Sequence, residues 1–268
     1  KINNAECEIC MRWGDKIPFD LAVEVPAVGN AANAAVAAAR LGLAAGLRAY
    51  VGDDENGKRC IASLQRDQVS VALVETQAGK HTNYHFVLWY ENNRTILVKH
   101  ESFNYVVPVL VAPPKWMYLS SLAQNSLPYE QAAAAWLAQH PDTKLAFQPG
   151  TFQIGQGVEA LKEIYQKTDI LFCNKEEAEK ILGKPSGNAI KESLQGIQAL
   201  GPKIVVVSDD VRGAYVLEES GACWHVPRYP DPRAPYEITG AGDALASTTV
   251  AALALGKPLG EALLWGAV

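Results

Sequence analysis

The sequence lacks the features that mark several common classes of protein. No apolar run approaches the roughly 18 residues of a membrane span, and the opening residues, 1–4, have no apolar stretch that would indicate a signal peptide. Positive charge is not in excess, since 29 acidic residues outnumber 24 basic ones, which argues against nucleic acid as a partner. The absence of Gly-x-x-x-x-Gly-Lys-[Ser/Thr] excludes a P-loop kinase, and no strand precedes a Gly-x-Gly-x-x-Gly of the dinucleotide-binding type.

Cysteine is also scarce, with five residues in the chain. Cys7 and Cys10 form one Cys-x-x-Cys, but no second pair of ligands accompanies them, so a zinc or redox site is not expected. Cys60, Cys173 and Cys223 lie in different apolar contexts and are predicted to be free thiols. Free thiols favour a reducing, cytoplasmic location.

Both ends of the chain look cut. The first residue is not Met, and Val268 stops inside an apolar, helix-like stretch that begins at Leu259. We therefore expect residues 1–268 to form a single domain that lacks both of its natural ends.

Short β-rich runs alternate with longer helical patterns along the chain. Several predicted strands are continuous apolar runs, as expected for strands buried on both faces. These strands are Leu47–Val51, Trp116–Ser120, Lys144–Gln148, Ile170–Cys173 and Ile204–Ser208. The predicted helices are Asn30–Leu41, Tyr129–Gln139, Val158–Gln166, Lys175–Leu182, Ala189–Leu200 and Gly242–Leu255. This alternation predicts an α/β fold with a mainly parallel central sheet and helices on both faces.

One region breaks the alternation. Val69–Glu75, Tyr84–Tyr90 and Thr95–His100 predict successive strands, with a polar turn at 91–94. They indicate a small antiparallel sheet, and we assign residues 1–24 and 69–105 to it. Such a sheet would either cover a cleft as a lid or pack on the body or on a second subunit, and the two roles are compatible because a lid can also form a homodimer interface.

The segment Thr239-Gly240-Ala241-Gly242-Asp243 precedes an Ala-rich helix that runs to Leu255. Small residues let the backbone approach a ligand closely, and the free N–H groups of the following helix favour an anion. A carboxylate there could accept the proton of an attacking hydroxyl. The alternative is structural, since an acidic residue stabilises the first turn of any helix.

Four other segments carry polar residues at helix or strand ends. An Asn such as Asn33 offers both a donor and an acceptor, which suits a polyol, although it would also cap a helix. Asn174 and Glu177 share one face of a helix start, where they would also form a capping box. The segments are Val28-Gly29-Asn30-Ala31-Ala32-Asn33-Ala34-Ala35, Val51-Gly52-Asp53-Asp54-Glu55-Asn56-Gly57, Asn174-Lys175-Glu176-Glu177 and Ser208-Asp209-Asp210-Val211-Arg212-Gly213.

Together, in this order, the five segments resemble the signatures of the PfkB/ribokinase-type carbohydrate kinases. The resemblance implies a ribokinase-like fold and transfer of a phosphoryl group from ATP, with Mg²⁺, to a hydroxyl of a sugar. It implies that Asp243 is the catalytic base and that Gly240, Ala241 and Gly242 form an anion hole. For the substrate it implies contacts with Gly29, Asn30, Asn33 and Asp53, the last with a mainly structural role. For the nucleotide and metal it implies Asn174, Ser208, Gly213, Thr239 and, through water, Glu177.

Several positions depart from the family pattern. Val28 replaces a glycine, Asp210 stands where a glycine is usual and adds negative charge near the nucleotide, and Gln148 replaces an asparagine in Phe147-Gln148-Pro149-Gly150-Thr151. Glu237 lies where the family often has a cation-binding aspartate, which leaves activation by K⁺ open.

Two further functions stay open at this point. Aromatic residues of the presumed lid, including Tyr84, Phe86, Trp89 and Tyr90, would stack on the base of a nucleoside such as adenosine, or simply fill the core of the lid. A non-catalytic sugar- or nucleotide-binding relative is the other alternative.

Overall fold

The computed structural model describes residues 10–90, 93–184, 187, 189–230 and 239–268. Its helices are α1 Asn30–Arg40, α2 Glu55–Arg66, α3 Leu127–Gln139, α4 Thr151–Gln156, α5 Lys162–Lys167, α6 Lys175–Ile181, α7 Ile190–Gln198, α8 Ala241–Ala254 and α9 Leu259–Ala267. Its strands are β1 Ala49–Gly52, β2 Val74–Gln77, β3 Phe86–Tyr90, β4 Asn93–Leu97, β5 Trp116–Leu119, β6 Lys144–Phe147, β7 Thr168–Asn174, β8 Ile204–Ser208, β9 Ala214–Leu217 and β10 Cys223–Val226. Among the described residues, no helix is both long and apolar enough to span a membrane.

The central sheet has six strands in the order β10-β9-β8-β7-β6-β5. Strands β5 to β8 are parallel, whereas β9 pairs antiparallel with β8 and β10 antiparallel with β9. The mainly parallel sheet predicted from the sequence is therefore confirmed. Short antiparallel strands at one edge are the part that the sequence did not predict.

Alternate residues of the parallel strands enter two separate cores. On one face Leu145, Phe147 and Leu171 pack with α3, α5, α6 and α7, and on the other face Ala146 and Ile170 pack with α8 and α9. Because both faces are covered, each strand is apolar at consecutive positions and not at every second one. This burial explains why the predicted strands lie close to the observed ones.

A smaller body precedes the sheet. Strands β1 and β2 form a parallel pair, and α1 and α2 pack on it around Ala35, Leu47, Leu64 and Val69. The helix α2 was missed in the sequence because its polar residues conceal its apolar face, of which only Gly57 and Leu64 are fully buried.

The predicted antiparallel sheet is smaller than expected. Strands β3 and β4 form a two-stranded hairpin, whereas the strand near residues 69–75 is β2, which pairs with β1. The described part of the first segment, 10–24, has no strand and is exposed throughout. Residues 1–9 and the turn residues 91–92 lie outside the described residues.

Candidate active site

Polar side chains follow the parallel strands at one edge of the central sheet. Ser121 follows β5, Gln148 follows β6, and Asn174 and Ser208 end β7 and β8, where they are register partners. The carboxyl ends of parallel strands meet at the same edge, and ligands of open α/β sheets bind outside this edge.

Helices α1 and α8 pack against each other and begin close to this edge. Each is preceded by a glycine with positive φ, 136° at Gly29 and 87° at Gly240, a conformation that other residues rarely adopt. A Cβ atom added to Gly29, Gly240 or Gly242 would have no heavy atom within 4 Å. Both helix starts therefore face open space in which a ligand can approach the backbone.

Asp243 lies in the first turn of α8 and binds three carboxamides. Its Oδ1 accepts hydrogen bonds from Asn30 Nδ2 and Gln148 Nε2, each at 3.0 Å, and its Oδ2 accepts one from Asn33 Nδ2 at 2.8 Å. Asn30 and Asn33 do not cap α1, which has no side-chain cap. The structure thus brings three predicted residues together from positions more than 200 apart in the chain.

Two hydroxyl groups hold the carboxamides that bind Oδ1. Tyr118 donates to Gln148 Oε1 at 2.5 Å, and Ser121 donates to Asn30 Oδ1 at 3.2 Å. Burial, and then the charge of Asp243, raise the pKa of the Tyr118 hydroxyl, which therefore stays protonated.

The start of α8 also presents free backbone donors. The first hydrogen bond of the helix runs from Ala244 N–H to Gly240 C=O at 2.8 Å. The N–H groups of Ala241 and Gly242 precede it and have no acceptor within the helix. Thr239 and both of these residues are exposed, so the donors point into an accessible, positively polarised site.

Asn174 and Glu177 form the capping box that was the structural alternative. Asn174 N–H donates to Glu177 Oε2 at 2.9 Å, and Glu177 N–H donates to Asn174 Oδ1 at 2.8 Å. Glu177 Oε1 lies outside this box. Burial raises the pKa of Glu177, and the charge of Asp243 contributes in the same direction.

The loop after β8 contains two residues with positive φ and an ion pair between Arg212 and Asp209. Arg212 binds Asp209 through two hydrogen bonds, at 2.6 and 2.7 Å, while Asp210 adopts a φ of 47°. At Gly213 φ is 82°, and a Cβ atom would lie 2.2 Å from the carbonyl oxygen of Val226. The loop therefore requires glycine at 213 and tolerates Asp at 210 in the left-handed region.

Asp53 and Asp54 hold the turn that follows β1. Asp54 caps α2 through Gly57 N–H at 2.9 Å and accepts from Thr82 Oγ1 at 2.6 Å. Although desolvation acts in the opposite direction, the hydrogen bonds from Thr82 and Gly57 lower the pKa of Asp54 to about 2. Asp53 is exposed and accepts from Gly79 N–H at 3.1 Å. In the part of the chain that the structure describes, no hydrogen bond links Asp53 to Asp243 or to the three carboxamides that Asp243 binds. The position of Asp53 beside a substrate therefore stays a prediction.

Some features of the site had no clear signal in the sequence. Tyr118 and Ser121 belong to no motif, and Gln148 stood out only as a replacement for asparagine. Tyr118 lies within a predicted strand, and Gln148 and Ser121 lie at or just after the end of one, and this position was the one available sign. Glu237, proposed for a monovalent cation, lies outside the described residues.

Comparisons with known proteins find similar sugar kinases among both sequences and solved structures. The chain is 24% identical over 254 residues to the 5-dehydro-2-deoxygluconokinase of Bacillus velezensis, covering 89% of this chain and 76% of that one. A fructokinase from Vibrio cholerae, solved in a fructose-, ADP- and calcium-bound form, superposes with a TM-score of 0.75 at 22% identity, covering 89% of this chain and 82% of that one. A ribokinase from Giardia lamblia superposes with a TM-score of 0.76 at 17% identity, covering 95% and 84% of the two chains.

The sheet, its helices and the small hairpin therefore constitute a ribokinase-like α/β fold. A sequence profile described as pfkB family carbohydrate kinase matches residues 22–268. The chain belongs to this family of carbohydrate kinases.

Proposed function

We propose that this protein transfers a phosphoryl group from ATP to a hydroxyl of a sugar, with Asp243 as the general base. The observation that carries the proposal is the position of Asp243. Its carboxylate lies in the first turn of α8, beside exposed backbone donors and open space, and binds the side chains of Asn30 and Asn33. A base beside an anion site is the arrangement that phosphoryl transfer to an alcohol needs.

The transfer step balances with the groups at this site. The O–H bond of the sugar breaks and its proton passes to Asp243, while the oxygen forms a new bond to the γ-phosphorus. The bond from this phosphorus to the β,γ-bridging oxygen breaks, and its electron pair leaves with ADP. The backbone N–H groups of Gly240, Ala241 and Gly242 would stabilise the charge on the transferring oxygens.

The sugar would lie over the start of α1, with the chain near Gly29 in contact with it. Asn30 and Asn33 each keep an amide oxygen or a second N–H for a substrate hydroxyl, because one N–H of each is engaged by Asp243. A polyol with neighbouring hydroxyl groups matches this alternation of donors and acceptors.

The nucleotide would lie over the ends of β7 and β8, beside Asn174, Ser208, Gly213 and Thr239. In the described residues no three His, Cys, Asp or Glu side chains lie close enough together to bind a metal directly. Glu177 keeps Oε1 outside its capping box, which fits a hydrated magnesium ion held through water. When bound, the ion would neutralise charge on the ATP phosphates.

A homodimer through the hairpin is the second part of the proposal. Phe86 and Leu97 are register partners on β3 and β4 and are 59% and 53% exposed. Such a pair would be covered when a second copy of the hairpin packs on it.

A cytoplasmic location is proposed because the reaction uses ATP and because the described cysteines, Cys10, Cys60, Cys173 and Cys223, are free thiols.

The decisive test is release of ADP with a panel of sugars and nucleosides, for the wild type and for Asp243→Asn. The amide cannot accept the proton, so we expect kcat to fall by about 10²- to 10⁴-fold while ATP still binds. Asp67→Asn is the control, because Asp67 pairs with Arg40 on the surface. Near-normal turnover of Asp243→Asn would refute the role of the base. Turnover of nucleosides alone would favour a nucleoside kinase, and ATP binding without any turnover by the wild type would favour a binding protein.

A further inference from the structure

The two oxygens of Asp243 are not equivalent. A carboxylate has about four positions for hydrogen-bond donors, two on each oxygen. Oδ1 accepts two hydrogen bonds, from Asn30 and Gln148, whereas among the described residues Oδ2 accepts one, from Asn33. Oδ1 is therefore saturated by the protein, and Oδ2 keeps a position for a further donor.

The direction of the hydrogen bonds at Gln148 is set from both sides. A carboxylate only accepts, so Gln148 must present its amide nitrogen to Asp243 and its oxygen to Tyr118. Tyr118 remains protonated and supplies the donor that this oxygen needs. The Tyr118 hydroxyl thus donates to Gln148, and the Gln148 amide donates in turn to Asp243 Oδ1.

The surroundings of Tyr118 keep this chain in place. Its ring belongs to the partly buried apolar residues packed on the core formed with α8 and α9, the same helix pair that carries Asp243. Gln148 is held by the loop between β6 and α4, in which Gly150 N–H donates to Gln153 Oε1 at 2.8 Å. Both members are fixed by elements of the fold and not by a ligand.

We propose that Tyr118 and Gln148 are positioning residues that fix the rotation of the Asp243 carboxylate, so that Oδ2 is the oxygen that takes the proton of the acceptor hydroxyl. This inference rests on the proposed function, because it requires Asp243 to be the base. Tyr118 acts through Gln148, and neither residue exchanges a proton with the substrate.

The test uses Tyr118→Phe, which removes one hydroxyl and keeps the ring. Loss of the donor weakens the hold on Oδ1, and we expect kcat to fall about tenfold with little change in the KM for ATP. The KM for the sugar should also change little, because neither Tyr118 nor Gln148 is assigned a contact with the substrate. Tyr165→Phe is the matched control, since Tyr165 is buried and packs on Phe147 in the other core.

A double-variant cycle shows whether Tyr118 acts through Gln148. Gln148→Met keeps the approximate shape but removes the amide, and in this background Tyr118→Phe should cost nothing further. Additive losses in kcat, or a rise in KM in place of the fall in kcat, would overturn the inference. Thermal unfolding of each variant separates these outcomes from loss of the fold, and if Tyr118→Phe does not fold, the split between kcat and KM in Gln148→Met decides alone. Full activity of Asp243→Asn would instead overturn the proposed function itself.

Discussion

Asp210 occupies the left-handed backbone region, at a φ of 47°, in the loop where the family usually has glycine. Asp is among the residues that adopt this conformation with the smallest cost, because its short side chain bonds locally. The backbone of the loop is thus kept while a negative charge is added. The side chain is exposed and lies close enough to Arg212 for their charges to interact.

We predict that Asp210→Gly lowers the KM for ATP by about two- to fivefold, because an exposed carboxylate repels the phosphates by roughly 0.2–1 kcal/mol. The effect should shrink at high salt. Steady-state kinetics at two ionic strengths measures it. Asp210→Asn is the control, since it removes the charge and still tolerates positive φ. A lower KM for ATP in Asp210→Gly alone would show that the backbone conformation at 210 affects ATP binding. An unchanged KM in both variants would place Asp210 away from the phosphates.

Asp243 and Asn33 were predicted as base and substrate ligand, and the structure joins Asn33 Nδ2 to Asp243 Oδ2 at 2.8 Å. The sequence thus indicated that both residues belong to one site, while their chemical roles stay predictions. Gln148 was noted only as a departure, because no local pattern shows which side chain a residue will meet across 95 positions.

A buried polar network connects α3 with α4 behind the loop that carries Gln148. Glu130 is fully buried, and its Oε1 accepts from Ser126 at 3.1 Å and from Gln153 at 2.8 Å. Glu130 Oε2 and Gln156 Oε1 are buried acceptors without a hydrogen-bond partner. Burial raises the pKa of Glu130, which favours its protonated form, and the proton would make this carboxyl a hydrogen-bond donor.

We predict that Glu130→Gln is stabilising at neutral pH, by on the order of 1 kcal/mol. A raised pKa in the folded state means that the unfolded chain ionises first, so wild-type stability falls as the pH rises from the ordinary value of 4.5 through the raised one. Glutamine carries a permanent donor at this position and escapes that loss. Urea denaturation of both proteins between pH 4 and 8 measures the difference. Equal pH dependence in the two proteins would contradict the prediction, and Glu159→Gln on an exposed turn serves as the control.

The buried parallel strands were predicted within a few residues of their observed bounds, because burial on both faces leaves a continuous apolar run. The edge strands β9 and β10 were not predicted, since each has four residues and β10 is mostly exposed. The strand near residues 69–75 was assigned to the wrong sheet, because pairing with β1 depends on contacts that no local pattern records.

The hairpin formed by β3 and β4 presents exposed apolar residues, including Phe86 and Leu97. We predict a homodimer that dissociates in the double variant Phe86→Ser/Leu97→Ser, because the substitutions remove the apolar pair from the proposed interface. Sedimentation equilibrium measures the mass. Leu264→Ser is the control, as Leu264 is 60% exposed on α9. A monomeric wild type would refute the interface, whatever the variants do.

The packing of α1 against α8 has a consequence for synthesis in the cell. Asn30 and Asp243 meet across 213 positions, so a ribosome must pass almost the entire length of this chain before the two can touch. Nascent or prematurely terminated polypeptides then hold Asn30 and Asn33 without the carboxylate that they bind, and they should be unable to consume ATP.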